Sequence, residues 1–169
     1  YYKKTGEISI KDDGRGIPID YHPKYKNKRA LEVVLTTLHA GGKFNSDAYK
    51  TSGGLHGVGI SVVNALSSYL KVDVFKDGKV YRQEYSRGKV KSKVKIEKCS
   101  KKLKGTNISF VPDETIFDSI YYDPKKLYRF INMKSVLVGG TTITFEIDNE
   151  FINDKTPNKK NFYYKNGIE

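Results

Sequence analysis

Between Gly41 and Gly59 the chain reads Gly41-Gly42-Lys43-Phe44 and then Gly53-Gly54-Leu55-His56-Gly57-Val58-Gly59. Glycine this dense admits positive φ and lets a ligand approach the backbone without meeting a Cβ. A helical pattern opens at about Gly57, so unpaired N–H groups and the positive end of a helix dipole face the loop. That is chemistry for an anion, usually a phosphate, with Lys43 and Lys50 as mobile positive charge on either side. A flexible surface loop between two helices would have the same composition. Neither G-x-x-x-x-G-K-[ST] nor a strand–GxGxxG–helix unit is present, so neither a Walker loop nor a Rossmann site is implied.

The second candidate is a carboxylate. Asp12 stands where a short strand gives way to Asp12-Asp13-Gly14-Arg15-Gly16-Ile17-Pro18. There it could accept a hydrogen bond from an amino group such as a purine N6; an Asx-turn or a cap is the other reading. Asp13 suits the turn role. Neighbours on an extended chain point opposite ways, which argues against a two-carboxylate acid/base or metal pair. Arg15 could pair with a carboxylate or stack on a flat ligand, or lie on the surface. Ile17 and Pro18 could line an apolar slot or the core edge. Thr106, after Gly105 at a strand start, could reach a ligand or a water, or simply be a β-branched strand residue. Arg82, mid-strand, fits a pocket mouth or an exposed strand face. His39 ends a helix, His56 sits inside the glycine loop where its backbone matters more than its ring, and His22 precedes a proline and is expected in solvent. Three scattered histidines and one cysteine have no zinc spacing, and no nucleophilic triad is defensible.

These residues need elements to hold them. Residues 7–11 alternate as a short strand. Residues 30–39 read as a helix with Leu31, Val34, Leu35 and Leu38 on one face. A second helix runs to about Ser68 with Val58, Val62, Ala65 and Leu66 inward. Strand patterns follow at 69–76, 79–86, 89–97 and 106–111. Asp77-Gly78 marks a hairpin between the first two, and Arg87-Gly88 and Lys104-Gly105 punctuate the others. Asp123-Pro124 reads as an N-cap with proline at the first helical position. That helix carries Leu127, Phe130 and Ile131 on one stripe and ends before Gly139-Gly140. Residues 141–147 are a strand, 149–161 a polar loop, and Phe162-Tyr163-Tyr164 a return to a sheet edge. Successive hairpins with interspersed helices predict an α+β fold, with antiparallel pairing and the helices layered on one face. No internal repeat, low-complexity block or second domain is visible.

Composition narrows the partners. Net charge is +12, from 31 Lys and Arg against 19 Asp and Glu, which favours nucleotide or nucleic acid. Lysines at 89, 91, 93 and 95 alternate with neighbours and are expected on one strand face. That face is either a nucleic-acid stripe or a solvated hairpin face, and no aromatics interleave to make a stacking platform. The single cysteine, Cys99, excludes an internal disulfide and fits a reducing compartment. No apolar run reaches transmembrane length and no signal peptide is visible, so no membrane partner is expected. With no initiator Met before Tyr1-Tyr2, the chain reads as an excised or processed fragment.

Taken together, four segments resemble the ATPase region of type IIA topoisomerases. They are residues 12–18, Leu38-His39-Ala40-Gly41-Gly42-Lys43-Phe44, Ser52 through Gly59, and Val62-Val63-Asn64-Ala65-Leu66-Ser67. The nearest likeness is to DNA gyrase B subunits, with topoisomerase IV close behind. The resemblance implies the GHKL (Bergerat) fold, a two-layer α/β sandwich, over residues 1–169. It implies that Asp12 accepts from the adenine amino group, supported by Gly16 and Thr106, with Ile17 and Pro18 near the base. Tyr49 would reach adenine, while Lys43 and the backbone of Gly54, Leu55, His56, Gly57, Val58 and Gly59 would hold the phosphates. Arg15 and Arg82 would border the mouth that aminocoumarins occupy. The implied cofactors are ATP and Mg²⁺. The implied partners are DNA, the gyrase A subunit and a second B subunit in ATP-dependent dimerisation. The family's catalytic Glu and its Mg²⁺-ligating Asn would lie upstream of Tyr1, and the transducer domain with its γ-phosphate lysine is not matched. The implied reaction is ATP-driven negative supercoiling, in the cytoplasm of a bacterium or in a plastid-type organelle. A topoisomerase IV ATPase subunit and a basic nucleic-acid-binding module are the alternative readings.

Overall fold

In the computed structural model, which describes residues 1, 5–25, 27–38, 58–152 and 156–167, Asp77 and Gly78 both take positive φ, 52° and 73°. That is the pair of left-handed residues a tight hairpin needs to match strand twist. The turn joins β2 (Ser67–Lys76) to β3 (Lys79–Ser86), paired antiparallel with Lys76 opposite Lys79. On the other side β2 pairs antiparallel with β6 (Gly105–Pro112), and β1 (Ile8–Lys11) flanks β6. The far side of β3 is covered by two short strands, β4 (Lys89–Val90) and β5 (Lys95–Lys98).

Registration sorts the side chains by face. Leu70, Val72 and Val74 point to one side of β2 and join Tyr85, Ile19, Leu31 and Leu35 in a buried core. Two helices close that side: α1 (Ala30–Thr36) and α2 (Gly59–Ala65). Ile60 and Val63 of α2 and Ile108 and Phe110 of β6 pack around it. Three polar side chains bond within it, while Asn64 Oδ1 is buried without a partner among the described residues. The Tyr85 hydroxyl donates to Gln83 Oε1 at 2.7 Å, Gln83 Nε2 donates to the Ser92 carbonyl at 3.2 Å, and Asn64 Nδ2 donates to the Leu35 carbonyl at 2.8 Å. Burial pushes the Tyr85 phenol well above its ordinary range.

The chain divides into two compact units, Ser9–Asp118 and Tyr1–Ile8 with Ser119–Glu169. In the second unit α3 (Pro124–Leu137) starts as the sequence predicts. Asp123 Oδ1 accepts from the backbone N–H groups of Lys125 and Lys126 at 2.8 and 3.3 Å, and proline opens the first turn. The α3 side chains Leu127, Tyr128 and Ile131 pack on Phe145, Ile147 and Phe162, around a separate hairpin of β7 (Thr142–Glu146) and β8 (Lys159–Tyr163). No helix among the described residues is long and apolar enough to cross a membrane.

Four sequence expectations are corrected. Helix α1 stops at Thr36, whose hydroxyl bonds back to the Glu32 carbonyl at 2.8 Å, and Thr37 is extended. Leu38 therefore lies beyond the helix and is exposed, and Val33 is buried instead. Helix α2 turns Ser61 and Asn64 inward and leaves Val62, Ala65 and Leu66 exposed. Polar side chains can take that face because Ser61 Oγ donates to the Val58 carbonyl and Asn64 bonds α1. Phe130 is on the outer side of α3, with the Lys134 ammonium 5.4 Å from its ring centre. The strand expected at 89–97 is broken. Ser86 faces Lys89 while Arg82 faces Lys95, so the outer chain carries extra residues across 91–94. Ser92 Oγ accepts from the Glu84 N–H, and Lys91 N–H bonds the Glu84 carbonyl. The lysines at 89, 91, 93 and 95 therefore do not line one strand face.

Candidate functional site

The site begins where β1 ends. The Asp12 N–H bonds the Thr106 carbonyl at 2.9 Å, which ties the start of the turn to the first residues of β6. Such closeness requires Gly105. Its φ is +97°, and a Cβ there would overlap the Asp12 carbonyl oxygen and come within 2.8 Å of Asp13 Cα. Gly16, with φ +76°, brings the chain back over β6, where a Cβ would meet Val74 Cγ1 at 3.0 Å and the Gly105 carbonyl oxygen at 3.2 Å. The Ile17 N–H then donates to Thr106 Oγ1 at 3.2 Å. Thr106 is only 4% exposed, and it lies opposite Val74 on the helix-covered face.

Four predicted residues are thus assembled: Asp12, Gly16, Ile17 and Thr106. Asp12 Oδ1 accepts the Gly14 N–H at 2.9 Å, so the Asx-turn reading describes one oxygen of this carboxylate. Its Oδ2 takes no hydrogen bond among the described residues, and the side chain is exposed. An anchored carboxylate with one oxygen available, on a residue whose N–H bonds the backbone of a buried threonine, can read an amino-bearing heterocycle. Ile17 offers a half-buried apolar surface continuous with the core, and Pro18 is exposed.

The other end is only partly described. Lys43, Tyr49, Gly54, Leu55, His56 and Gly57 lie outside the described residues. Val58 is the N-cap of α2 and Gly59 its first residue, where an added Cβ would meet nothing within 4 Å. The helix is anchored at its other end: the Gly88 N–H bonds the Asn64 carbonyl at 3.0 Å and the Asp113 N–H bonds the Leu66 carbonyl at 3.0 Å. Arg87, at φ 49°, donates Nε and Nη2 to the two oxygens of buried Asp113, which also accepts from Thr115. The Arg87 bond, then the Thr115 N–H, hold the Asp113 carboxyl well below the usual carboxylate range.

Arg82 is not brought to the Asp12 cluster. It lies opposite Asp73, and Asp73 lies opposite Asn107, on the sheet face away from Thr106. There Arg82 Nε bonds buried Asp73 Oδ1 at 2.6 Å and Nη1 bonds Glu97 Oε2 at 3.3 Å, and the Asp73 bond raises its pKa further. A signal for this pairing stands in the sequence: Asp73 is an acid inside the apolar run of β2. Gly105 reads in the sequence only as punctuation, although it sets the closest backbone approach in the site. His22, expected in solvent, is buried, and its Nδ1 accepts the Lys24 N–H at 3.1 Å. No group of three or more His, Cys, Asp or Glu among the described residues is placed to hold a metal ion.

Known proteins share this fold and much of this sequence. A family profile described as "Histidine kinase-, DNA gyrase B-, and HSP90-like ATPase" matches residues 2–116. The B subunit of DNA topoisomerase 4 from Rickettsia bellii is 51% identical over 163 residues, 96% of this chain and 24% of that protein. The B subunit of DNA gyrase from Thermotoga maritima is 48% identical over 98% of this chain and 25% of its own length. The chain therefore spans about a quarter of the length of these curated relatives. Among solved structures, the 43K ATPase domain of Thermus thermophilus gyrase B in complex with an aminocoumarin superposes with a TM-score of 0.78. It is 32% identical, covering 98% of this chain and 39% of that one. The topoisomerase IV ATP-binding domain of Francisella tularensis, in complex with a small-molecule inhibitor, superposes with a TM-score of 0.76 at 33% identity, covering 98% and 42%. With the profile running through the Asp12 turn, both helices and all six strands of the larger sheet, the chain belongs to the histidine kinase-, DNA gyrase B- and HSP90-like ATPase family.

Proposed function

We propose that this chain binds ATP, with the base against Asp12 and Thr106, as part of the B subunit of a type IIA DNA topoisomerase. The observation that carries the reading is the Asp12 carboxylate, pinned by the Gly14 N–H through one oxygen and open at the other, on a residue whose N–H bonds the carbonyl of buried Thr106. The adenine amino group donates to the open oxygen. The Gly16 bend holds Ile17 against the base, and Pro18 flanks it. Residues 54–59 and Lys43 are assigned to the phosphates and Tyr49 to the outer edge of the base, following the family resemblance. An aminocoumarin, as carried by the Thermus relative, would compete at the base end. ATP supplies the phosphoanhydride whose cleavage drives the enzyme. The described residues form no carboxylate cluster for Mg²⁺.

For the whole protein we propose an ATP-dependent isomerase that works on DNA with an A-type partner subunit and dimerises through its B subunits on binding ATP. The resemblance favours gyrase and its negative supercoiling. The 51% identity to a topoisomerase 4 relative favours that enzyme instead. Full-length protein with its A-type partner, given relaxed plasmid and ATP, separates them: no negative supercoils overturns the gyrase reading.

The binding claim is tested with Asp12→Asn. Asparagine can turn a donor toward the adenine amino group or leave it unpaired, and losing a hydrogen bond to a charged acceptor costs roughly 1.5–3 kcal/mol. Calorimetry with a non-hydrolysable ATP analogue should show at least about a tenfold loss of affinity. Unchanged affinity in a variant that melts like the parent removes Asp12 from the site.

A further inference from the structure

We infer that the sheet face opposite the helices carries a second small-molecule site, for a flat ring bearing a phosphate or similar anion. A cleft of about 750 Å³ opens in the Ser9–Asp118 unit where three segments converge: the Asp13-Gly14-Arg15 turn, the end of β2 with its Asp77 turn, and the 101–104 loop. Its volume falls in the range of roughly 300–1,000 Å³ typical of small-ligand pockets.

Registration explains why the cleft exists. Phe75 is two residues on from Asp73, so its ring lies on the outer face, and its partner across β6 is Gly105. Glycine offers no side chain to cover the ring, and Gly105 cannot be replaced without striking the Asp12 backbone. The floor is therefore a half-buried phenyl face, approached by the Lys11 ammonium at 5.5 Å. Around it stand four cations, Arg15, Lys76, Lys101 and Lys104, against two carboxylates, Asp13 and Asp77, with Leu103 as a second apolar wall. The rim is hydrogen-bonded rather than loose. The Cys99 N–H bonds the Gly78 carbonyl at 2.9 Å, the Leu103 N–H bonds the Ser100 carbonyl at 3.0 Å, and the Lys101 stem lies against Gly78. A planar ring on Phe75 gains aromatic contact while its anionic group meets the excess of cations. Thr106, opposite Val74, lies on the other face of the sheet, with the Asp12–Gly105 backbone contact between the two sites.

The smallest ligand with both features is phenyl phosphate, which has no amino group for Asp12 to read. Titrated into the ¹⁵N-labelled chain, it should move the amides of Gly14, Gly78, Lys101 and Leu103 saturably, at least about fivefold more tightly than inorganic phosphate. Phe75→Ala should erase the advantage of the ring. Lys101→Glu with Lys104→Glu, two exposed residues, should weaken both probes at least about tenfold, and Asp12→Asn should change neither. The inference is overturned by shifts confined to Ile17 and Thr106, by unsaturable shifts over all surface lysines, by equal binding of the two probes, or by indifference to the double lysine variant.

Discussion

Replacing Gly105 with alanine tests the local backbone on which the candidate site depends. The change adds one methyl group at φ +97°, a conformation that costs an L-residue roughly 1–3 kcal/mol. The methyl also overlaps the Asp12 carbonyl oxygen and approaches the Asp12 carbonyl carbon to 2.7 Å, an overpacking worth about 1–3 kcal/mol more. The combined loss is about 2–6 kcal/mol, and at roughly 2–4 °C per kcal/mol for a chain of this size the melting temperature should fall at least about 4 °C. Relief requires Asp12 to move away from β6, which lengthens its bond to the Thr106 carbonyl, so affinity for an ATP analogue should fall as well. Gly140→Ala is the control: φ is +73° there, but an added Cβ meets nothing within 4 Å. It should cost only the backbone term, about 1–2 kcal/mol, and leave binding untouched. Circular-dichroism melting and calorimetry on the three proteins separate the terms. If Gly105→Ala melts no lower than Gly140→Ala and binds normally, the close approach of Asp12 to β6 is not what shapes the site.

Gly59→Ala should behave in the opposite sense: alanine is the better helix former by up to about 1 kcal/mol, so chemical denaturation should show equal or higher stability, while affinity for the triphosphate analogue falls. Unchanged affinity removes Gly59 from the phosphate end. Arg82→Ala strands the buried Asp73 carboxylate and should destabilise by about 1–3 kcal/mol, with ATP-analogue affinity within about twofold because Arg82 is on the other sheet face; a tenfold loss of affinity would return Arg82 to the pocket mouth. Asp113 has a lowered carboxyl pKa, so its ion pair with Arg87 contributes stability above the unfolded value near 4 and loses it as pH falls through the folded value. Urea midpoints followed from pH 5 into acid should therefore drop more steeply in the parent than in Asp113→Asn, and parallel curves would refute the assignment.

Local chemistry makes much of this molecule legible. Asp77-Gly78 announces the β2–β3 hairpin and Asp123-Pro124 the start of α3, because in each case two adjacent residues decide the geometry. The 12–18 turn is readable for the same reason, and it carries Asp12, Gly16 and Ile17. What stays hidden depends on partners distant in sequence. The lysines between 89 and 95 look like one strand until Ser92 takes the Glu84 N–H and displaces the register. Periodicity assigns the inward face of α2 to its apolar residues, yet Asn64 is buried because Leu35 supplies an acceptor 29 residues away. The sequence offers Arg82 for a pocket mouth, and its ion pair with Asp73, nine residues away, is visible only in the fold.

The interruption between β4 and β5 has a consequence for self-association. An outermost strand with a full row of unpaired N–H and C=O groups is a template on which another chain can add, the first step toward aggregation. Here the outermost strand is cut into pieces of two and four residues, and the four residues between them turn two of their hydrogen-bonding groups back onto Glu84. Lysine stands at 89, 91, 93, 95 and 98 along that margin, so an approaching copy meets repulsion as well as a broken row. Straightening the segment, by deleting two residues between Val90 and Lys95, would restore an unbroken edge and with it a tendency to polymerise.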